Sequence, residues 1–169
     1  MFLGKKIYLR QLEKEDAPTL LSWENDCENW RYSETEALYS LAQIQQYIEI
    51  ASDIRQTLQL RLMICLNAHA PIGNIDLFQI DFKNKRAGVG ILIDKDHREK
   101  RYASEALLLL ESYVKEHLDF IQLFCTIRSD NKASIQLFES SGYEKIGVKK
   151  KWYYCSGKTY DAYFYQKIL

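Results

Sequence analysis

The chain has 169 residues, a length that fits one domain, and 47% of them are hydrophobic, enough to bury a sizeable core. Lysine plus arginine and aspartate plus glutamate balance at 23 each. No basic excess points to nucleic acid and there is no acidic tail, so electrostatic arguments rest on local clusters. The charges of Lys5, Lys6 and Arg10 follow only a few apolar residues, which is not the pattern of a signal peptide. Apolar runs reach about five residues, against roughly 20 for a membrane span. The expectation is a soluble cytoplasmic protein.

Lys6 to Leu12 alternates apolar and polar residues and reads as a strand. Glu15-Asp16-Ala17-Pro18 opens a helix, with acids in its first turn and proline where proline is tolerated. Leu20, Leu21 and Trp23 give that helix an apolar side. Asp26 to Ser40 is aromatic, acidic and irregular. Leu41 to Ile54 is a second helix, with Ile44, Tyr47, Ile48 and Ala51 at helical spacing. Strands follow at Gln59–Leu66 and Ile72–Asp81, joined by a turn at Asn67–Pro71, and a third lies at Ala87–Asp94. The run Val89-Gly90-Ile91-Leu92-Ile93 predicts a buried, central position for that strand.

A helix of about 15 residues is marked by Ala103, Ala106, Leu107, Leu110 and Val114. Ile121–Ile127 is a short buried strand. Asn131–Ser141 is a helix stopped by Gly142, and closing strands at Tyr143–Lys151 and Lys158–Lys167 flank the turn Cys155-Ser156-Gly157. Together these elements give a single α/β (α+β) domain over residues 1–169. Its expected form is a mixed central sheet of about six to seven strands with about four helices on both faces.

Cys27, Cys65, Cys125 and Cys155 form no C-x-x-C pair, and His69, His97 and His117 are scattered, so no metal site is expected. Cys65 and Cys125 lie in apolar runs as reduced core thiols. The chemistry concentrates at Asp94–Ala106, where a buried strand ends in a tight charged loop and a helix begins. A helix start presents unpaired N–H groups and a partial positive charge, which suits an anion such as a pyrophosphate. Arg98, Lys100 and Arg101 add local positive charge. No G-x-x-x-x-G-K-S/T run exists, and Gly88-Val89-Gly90 lies inside the strand rather than after it. On physics alone a solvated charged loop is the competing account.

Two segments together change that balance. Arg98-Glu99-Lys100-Arg101-Tyr102-Ala103 resembles Gln/Arg-x-x-Gly-x-Gly/Ala, the coenzyme A signature of the GNAT superfamily of N-acetyltransferases. About 30 residues on, Asn131-Lys132-Ala133-Ser134-Ile135-Gln136-Leu137-Phe138-Glu139-Ser140-Ser141-Gly142-Tyr143 resembles that family's second signature. The resemblance spans nearly the whole chain and is nearest to spermidine N-acetyltransferases and ribosomal-protein N-terminal acetyltransferases.

The resemblance implies acetyl transfer from acetyl-CoA, a cosubstrate, to a primary amine. That amine would be a small polyamine-like molecule or a protein or peptide amine, attacking directly in a ternary complex. It further implies that backbone groups of Ile91, Leu92 and Ile93 pair with the pantetheine arm, one N–H polarising the thioester carbonyl. Arg98, Glu99, Lys100, Arg101, Tyr102, Ala103 and Ser104 would wrap the pyrophosphate. Asn131 and Ser134 would touch the coenzyme, with Phe138 near the thioester sulfur. Two departures stand out: Arg101 replaces the family's central glycine, and Phe138 occupies the position of the tyrosine that protonates the leaving thiolate.

On the acceptor side, an alkylamine is neutral in only roughly one molecule in 10³ at pH 7, so a proton acceptor is needed. Asp76, on the neighbouring strand, is the candidate, acting through water. Glu28, Trp30, Tyr32 and Glu34 form an acidic, aromatic segment suited to a cationic amine. Gly88 stands where polyamine enzymes carry a glutamate. A catalytically weak acyl-CoA-binding module is the alternative function. A homo-oligomer using Tyr153, Tyr154, Tyr160, Tyr163 and Tyr165 is a further expectation; nucleic-acid and membrane partners are not.

Overall fold

A computed structural model describes residues 1–33, 37–51, 53–66 and 70–169. Glu34, His69 and most of the expected turn at Asn67–Pro71 lie outside the described residues. Eight strands are described: β1 (Phe2–Leu3), β2 (Ile7–Gln11), β3 (Leu60–Leu66), β4 (Pro71–Asp81), β5 (Arg86–Ile93), β6 (Gln122–Arg128), β7 (Glu144–Cys155) and β8 (Lys158–Ile168). They join one sheet in the order β1-β2-β3-β4-β5-β6-β8-β7. Six helices are described: α1 (Ala17–Glu24), α2 (Cys27–Trp30), α3 (Leu41–Ile50), α4 (Ile54–Thr57), α5 (Tyr102–His117) and α6 (Lys132–Ser140). The mixed sheet and the alternating elements are as expected, with more strands and helices than counted from sequence. The additions are short: the two-residue β1 and the one-turn helices α2 and α4 are too brief to leave a periodic signal.

Local chemistry sets the helix ends. Pro18 lies in the first turn of α1. The Ser40 hydroxyl accepts from the Gln43 N–H at the start of α3, and the Gln43 side chain reaches back to the Ser40 N–H. The Asn131 side chain accepts from the Ser134 N–H at 3.2 Å to open α6. Gly142 follows α6 at φ +86°, the left-handed stop that its position suggested. Helix α3 ends at Ile50, earlier than expected, and Asp53 caps the separate turn α4.

The sheet separates two cores. On one face Leu107, Leu110 and Val114 of α5 and Phe138 of α6 pack with Leu9, Ile64, Ile75, Val89 and Leu123. On the other, Leu20 and Trp23 of α1 and Ile44 and Ile48 of α3 pack with Tyr8, Met63 and Cys65. Alternation along each strand delivers both sets: in β3, Leu62 and Ile64 face α5 while Met63 and Cys65 face α1 and α3. Cys65 and Cys125 are buried free thiols, and burial pushes both above the ordinary range.

The parallel contact of β5 with β6 sets the site. Every other neighbouring pair is antiparallel. The parallel pair spans only Arg86–Gly88 against Gln122–Phe124, and beyond it the two strands diverge. This corrects one expectation. Of the run Val89–Ile93, Val89 is buried as predicted, as are Ala87 and Gly88 before it, but Gly90, Ile91, Leu92 and Ile93 are half-exposed, because the strand loses its neighbour at that point. The central position holds and the full burial does not.

Leu110 is fully buried between α5 and the sheet. Leu110→Ala is expected to destabilise the protein by about 2–5 kcal/mol, read as a lower urea midpoint with unchanged slope.

Candidate active site

Backbone alternation in β5 shows which groups face the opening. The Asp94 N–H donates to Ile72 across β4, and the Lys85 carbonyl accepts from the Ile121 N–H on the β6 side. Even-numbered residues therefore pair with β4, and Val89, Ile91 and Ile93 turn their N–H and C=O groups toward the gap. The Arg98 Nε–H caps the Ile93 carbonyl at 3.0 Å. The Val89 N–H closes the last β5–β6 pair, and the Val89 carbonyl and the Ile91 groups lie beyond it, an open strand edge inside the protein.

Two helix N-termini border this gap, because β5 leads through the charged loop into α5 and β6 leads through a short turn into α6. In the loop, the Trp23 indole N–H donates to Asp94 Oδ2 at 2.8 Å and the Asp96 N–H donates to Asp94 Oδ1. Asp94 is held below the usual carboxylate range; its burial opposes this, and the Asp96 N–H and Trp23 bonds outweigh it. Glu99 and Arg101 are left-handed, at φ +63° and +66°, on either side of Lys100. Such turns gather backbone N–H groups into an anion-binding concavity. Arg101 is the N-cap of α5 and supplies no side-chain cap, so the N–H groups of the first turn remain available.

The loop cations divide their work. Arg98 also donates to Asn29 Oδ1 at 3.3 Å, and Lys100 Nζ donates to the Asp96 carbonyl at 2.9 Å. Both therefore shape the loop, while Arg101 is exposed. Glu99 is exposed as well; Tyr102, Ala103 and Ser104 are half-buried at the helix start. Asn131 and Ser134 sit together at the start of α6. Phe138 is 3% exposed and packs edge-on against Tyr143 at 4.9 Å, so it is a core residue with no proton to give.

The opposite face of the gap carries the acceptor candidates. Asp76 pairs with Gly90 in register. Both Asp76 oxygens accept from Arg61, at 2.8 and 2.9 Å, and the Asn74 amide lies within 3.3 Å of each. Arg61 also reaches Glu24 Oε1 at 2.5 Å. A cavity of about 290 Å³, lined by Tyr47, Ile50, Thr57 and Gln59, opens beside Arg61. A larger hollow of about 440 Å³ lies by Phe124 and Phe164, where β5 and β6 are still paired.

The segment expected to bind the amine folds as an arch over the gap. Asp26 caps α2. Trp30 Nε1 donates to the Glu24 carbonyl at 2.5 Å, Asn29 Nδ2 to the Trp23 carbonyl at 3.0 Å, and Arg31 to Asp130 Oδ2 at 3.0 Å. Glu28 is exposed. The face of Tyr32 meets guanidinium groups already, Arg128 at 4.9 Å and Arg31 at 5.5 Å. Arg128 lies at the end of β6 on the same sheet face as Phe124 and also stacks on Tyr160 at 4.6 Å. Asp130 takes both Arg128 and Arg31, and their bonds hold its carboxyl below the usual range.

Glu24, Arg61, Arg128 and Asp130 were not singled out by sequence reasoning. A signal existed for three of them. Arg61 is the one charged residue in the apolar run Leu60–Leu66, and Arg128 and Asp130 immediately precede the second signature. The expected interface tyrosines divide: Tyr154 is 77% exposed, whereas Tyr165 is buried at 1% and donates to Glu139.

A sheet that opens beside two helix starts, one of them on an anion-binding loop, defines an acyltransferase-type site. The comparisons agree. The acetyltransferase (GNAT) domain family matches residues 6–144, and the chain belongs to that family. Among curated proteins it is 26% identical over 166 residues to the uncharacterised N-acetyltransferase p20 of Bacillus licheniformis, covering 97% of this chain and 93% of that one. Among solved structures it resembles the spermidine N-acetyltransferase of Vibrio cholerae in complex with CoA and spermine. The TM-score is 0.89 at 19% identity, over 98% of this chain and 96% of that one. It also resembles RimL, a ribosomal L7/L12 alpha-N-protein acetyltransferase in complex with coenzyme A, with a TM-score of 0.85 at 19% identity over the same shares of each chain. At such identities the structural likeness is one of fold. No group of three or more metal-ligating residues occurs among the described residues, and no described helix is long and apolar enough to cross a membrane.

Two predictions follow from local geometry. A Cβ on Gly88 would stand 2.4 Å from the Phe78 ring, which lies edge-on to Phe124. Gly88→Ala is therefore expected to destabilise by about 1–3 kcal/mol, and by less in a Phe78→Ala background, measured as a double-mutant cycle in urea. Arg101 holds a left-handed conformation at a cost of about 1–2 kcal/mol. Arg101→Gly relieves that strain but frees the unfolded chain, so a net gain of about 0.5–1 kcal/mol in unfolding free energy is expected.

Proposed function

We propose that this acyltransferase moves an acetyl group from acetyl-CoA to a primary amine by direct attack within a ternary complex, the amine being of polyamine or peptide type. The supporting observation is the open edge of β5 running into the left-handed loop and the uncapped start of α5. The residues fit the coenzyme: an extended arm can add to the strand edge, and a pyrophosphate suits the N–H concavity. Acetyl-CoA supplies the activated thioester.

The chain's own groups do the rest. Val89, Ile91 and Ile93 bind the arm, with Leu92 fixing the strand from the opposite face, and the Ile91 N–H is aimed at the thioester carbonyl. Glu99, Lys100, Arg101, Tyr102, Ala103 and Ser104 present backbone N–H groups to the phosphates, while Arg98 holds the loop against β5 and α2. Asn131, Ser134 and Phe138 border the coenzyme from α6. Phe138 provides packing only. The thiol leaves without a proton from that position; a thiol of pKa about 8.5 is a tolerable leaving group near neutrality.

Glu24 and Asp76 receive the amine proton through water. Asp76 shares both oxygens with Arg61 and Glu24 shares one, so Glu24 is the more available base. The arch residues Glu28, Trp30 and Tyr32 border the acceptor.

Purified protein is expected to bind acetyl-CoA by calorimetry and to release free thiol when a primary amine is added. Glu24→Gln is expected to lower the rate by about 10²–10⁴-fold. Tight coenzyme binding with no thiol release across a broad amine panel would make the chain a binding module instead.

A further inference from the structure

The two walls of the acceptor side carry opposite excess charge. On the β3–β4 wall, Glu24 and Asp76 share one guanidinium, that of Arg61, leaving one negative charge in excess. On the β6 wall, Arg128 and Arg31 share one carboxylate, that of Asp130, leaving one positive charge in excess in this cluster of described residues. Both clusters lie on the sheet face away from α5. Asp76 stands beside Gly90 on one side of the splay, and Arg128 ends β6 on the other. The arch from Glu24 to Arg31 spans them, held by Arg61 at its Glu24 end and by Asp130 at its Arg31 end. The gap beneath is therefore dipolar along one direction, across the splay.

The sheltering of these groups makes the polarity matter. Side-chain exposure is 19% for Arg61, 22% for both Glu24 and Asp76, and 6% for Arg128. Charges so placed are screened far less than surface charges. Each excess charge also has a donor or acceptor geometry to offer. Arg31 is half-exposed and, among the described residues, bonds a carboxylate through one nitrogen, that to Asp130, so its planar fork has the geometry to take a second anion. Glu24 bonds Arg61 through Oε1, which leaves Oε2 for an ammonium. A polyamine would meet the Arg31–Arg128 wall with a second cation, a like-charge contact that costs affinity.

We propose that the acceptor is a primary amine carrying an anionic group, a carboxylate or a phosphate, at the end opposite its nitrogen. The ammonium faces Glu24 and Asp76, and the anion faces Arg31 and Arg128. This rests on the acetyl-transfer reading above and narrows its acceptor class. It makes Arg31 a specificity-determining residue that leaves the reacting atoms untouched.

The test compares matched pairs in the thiol-release assay: dipeptides against their C-terminal amides for the carboxylate source, and phosphoethanolamine against ethanolamine for the phosphate source. The anionic member of at least one pair is expected to show the higher kcat/KM by about tenfold or more, as for one hydrogen bond to a charged group. Arg31→Gln is expected to shrink that ratio about tenfold, and Arg31→Lys to restore part of it. The proposal is overturned if amides, ethanolamine and spermidine are acetylated as well as the anionic amines, or if Arg31→Gln slows both members of each pair equally. If no amine is acetylated, the transfer reading fails by itself. Calorimetry of the same pairs on the CoA-saturated protein then decides the charge question, with equal binding within each pair overturning it.

Discussion

Everything in this molecule turns on a pairing that stops. Strands β5 and β6 run parallel for three residues each and then part, leaving backbone groups of β5 with no strand to meet. An internal strand edge is costly in a closed core, where an unpaired N–H or C=O forfeits about 1–3 kcal/mol. The cost is tolerable here because the edge faces a gap open to solvent or to another extended chain. The same divergence brings the starts of α5 and α6 to one end of the gap, since each helix follows one of the separating strands. Separation of two strands thus produces a strand-shaped slot, two helix starts at one end of it and a two-walled space beside it.

The acceptor side shows how ion pairs can specify position more than stability. Arg61 and Asp130 are each bound by two opposite charges, and each joins segments distant in sequence: α1 with β3 and β4, or α2 with the β6–α6 turn. Partly sheltered pairs of this kind return little net free energy after desolvation, but a broken one leaves a stranded charge. The arch is consequently fixed at both ends by interactions that tolerate few substitutes.

Much of the architecture was legible in the sequence. The β5–loop–α5 and α6 elements were read within a residue or two, because a buried apolar run, a charged loop, an asparagine cap and Gly142 each have a local cause. The strand, loop and helix start proposed for the coenzyme were legible for the same reason: they are consecutive in sequence. The acceptor side was not. Tyr32 reads as a face for a cationic substrate until the fold places Arg128, nearly 100 residues later, against it. Asp76 reads as an unshared carboxylate until the fold places Arg61, from the adjacent strand, on both its oxygens. The left-handed Arg101 was foreseeable only as a conditional, since a side chain at a glycine position does not reveal its φ.

Gly88 and Phe78 form a lock whose halves cannot change one at a time. The ring occupies the volume that any side chain at position 88 would need. A descendant acquiring a carboxylate on β5 must also shrink position 78. Whichever substitution comes first passes through a form that is either overpacked or hollow. Such coupling makes this stretch of β5 resistant to stepwise change: a side chain at position 88 becomes comfortable only after a second substitution has made room for it.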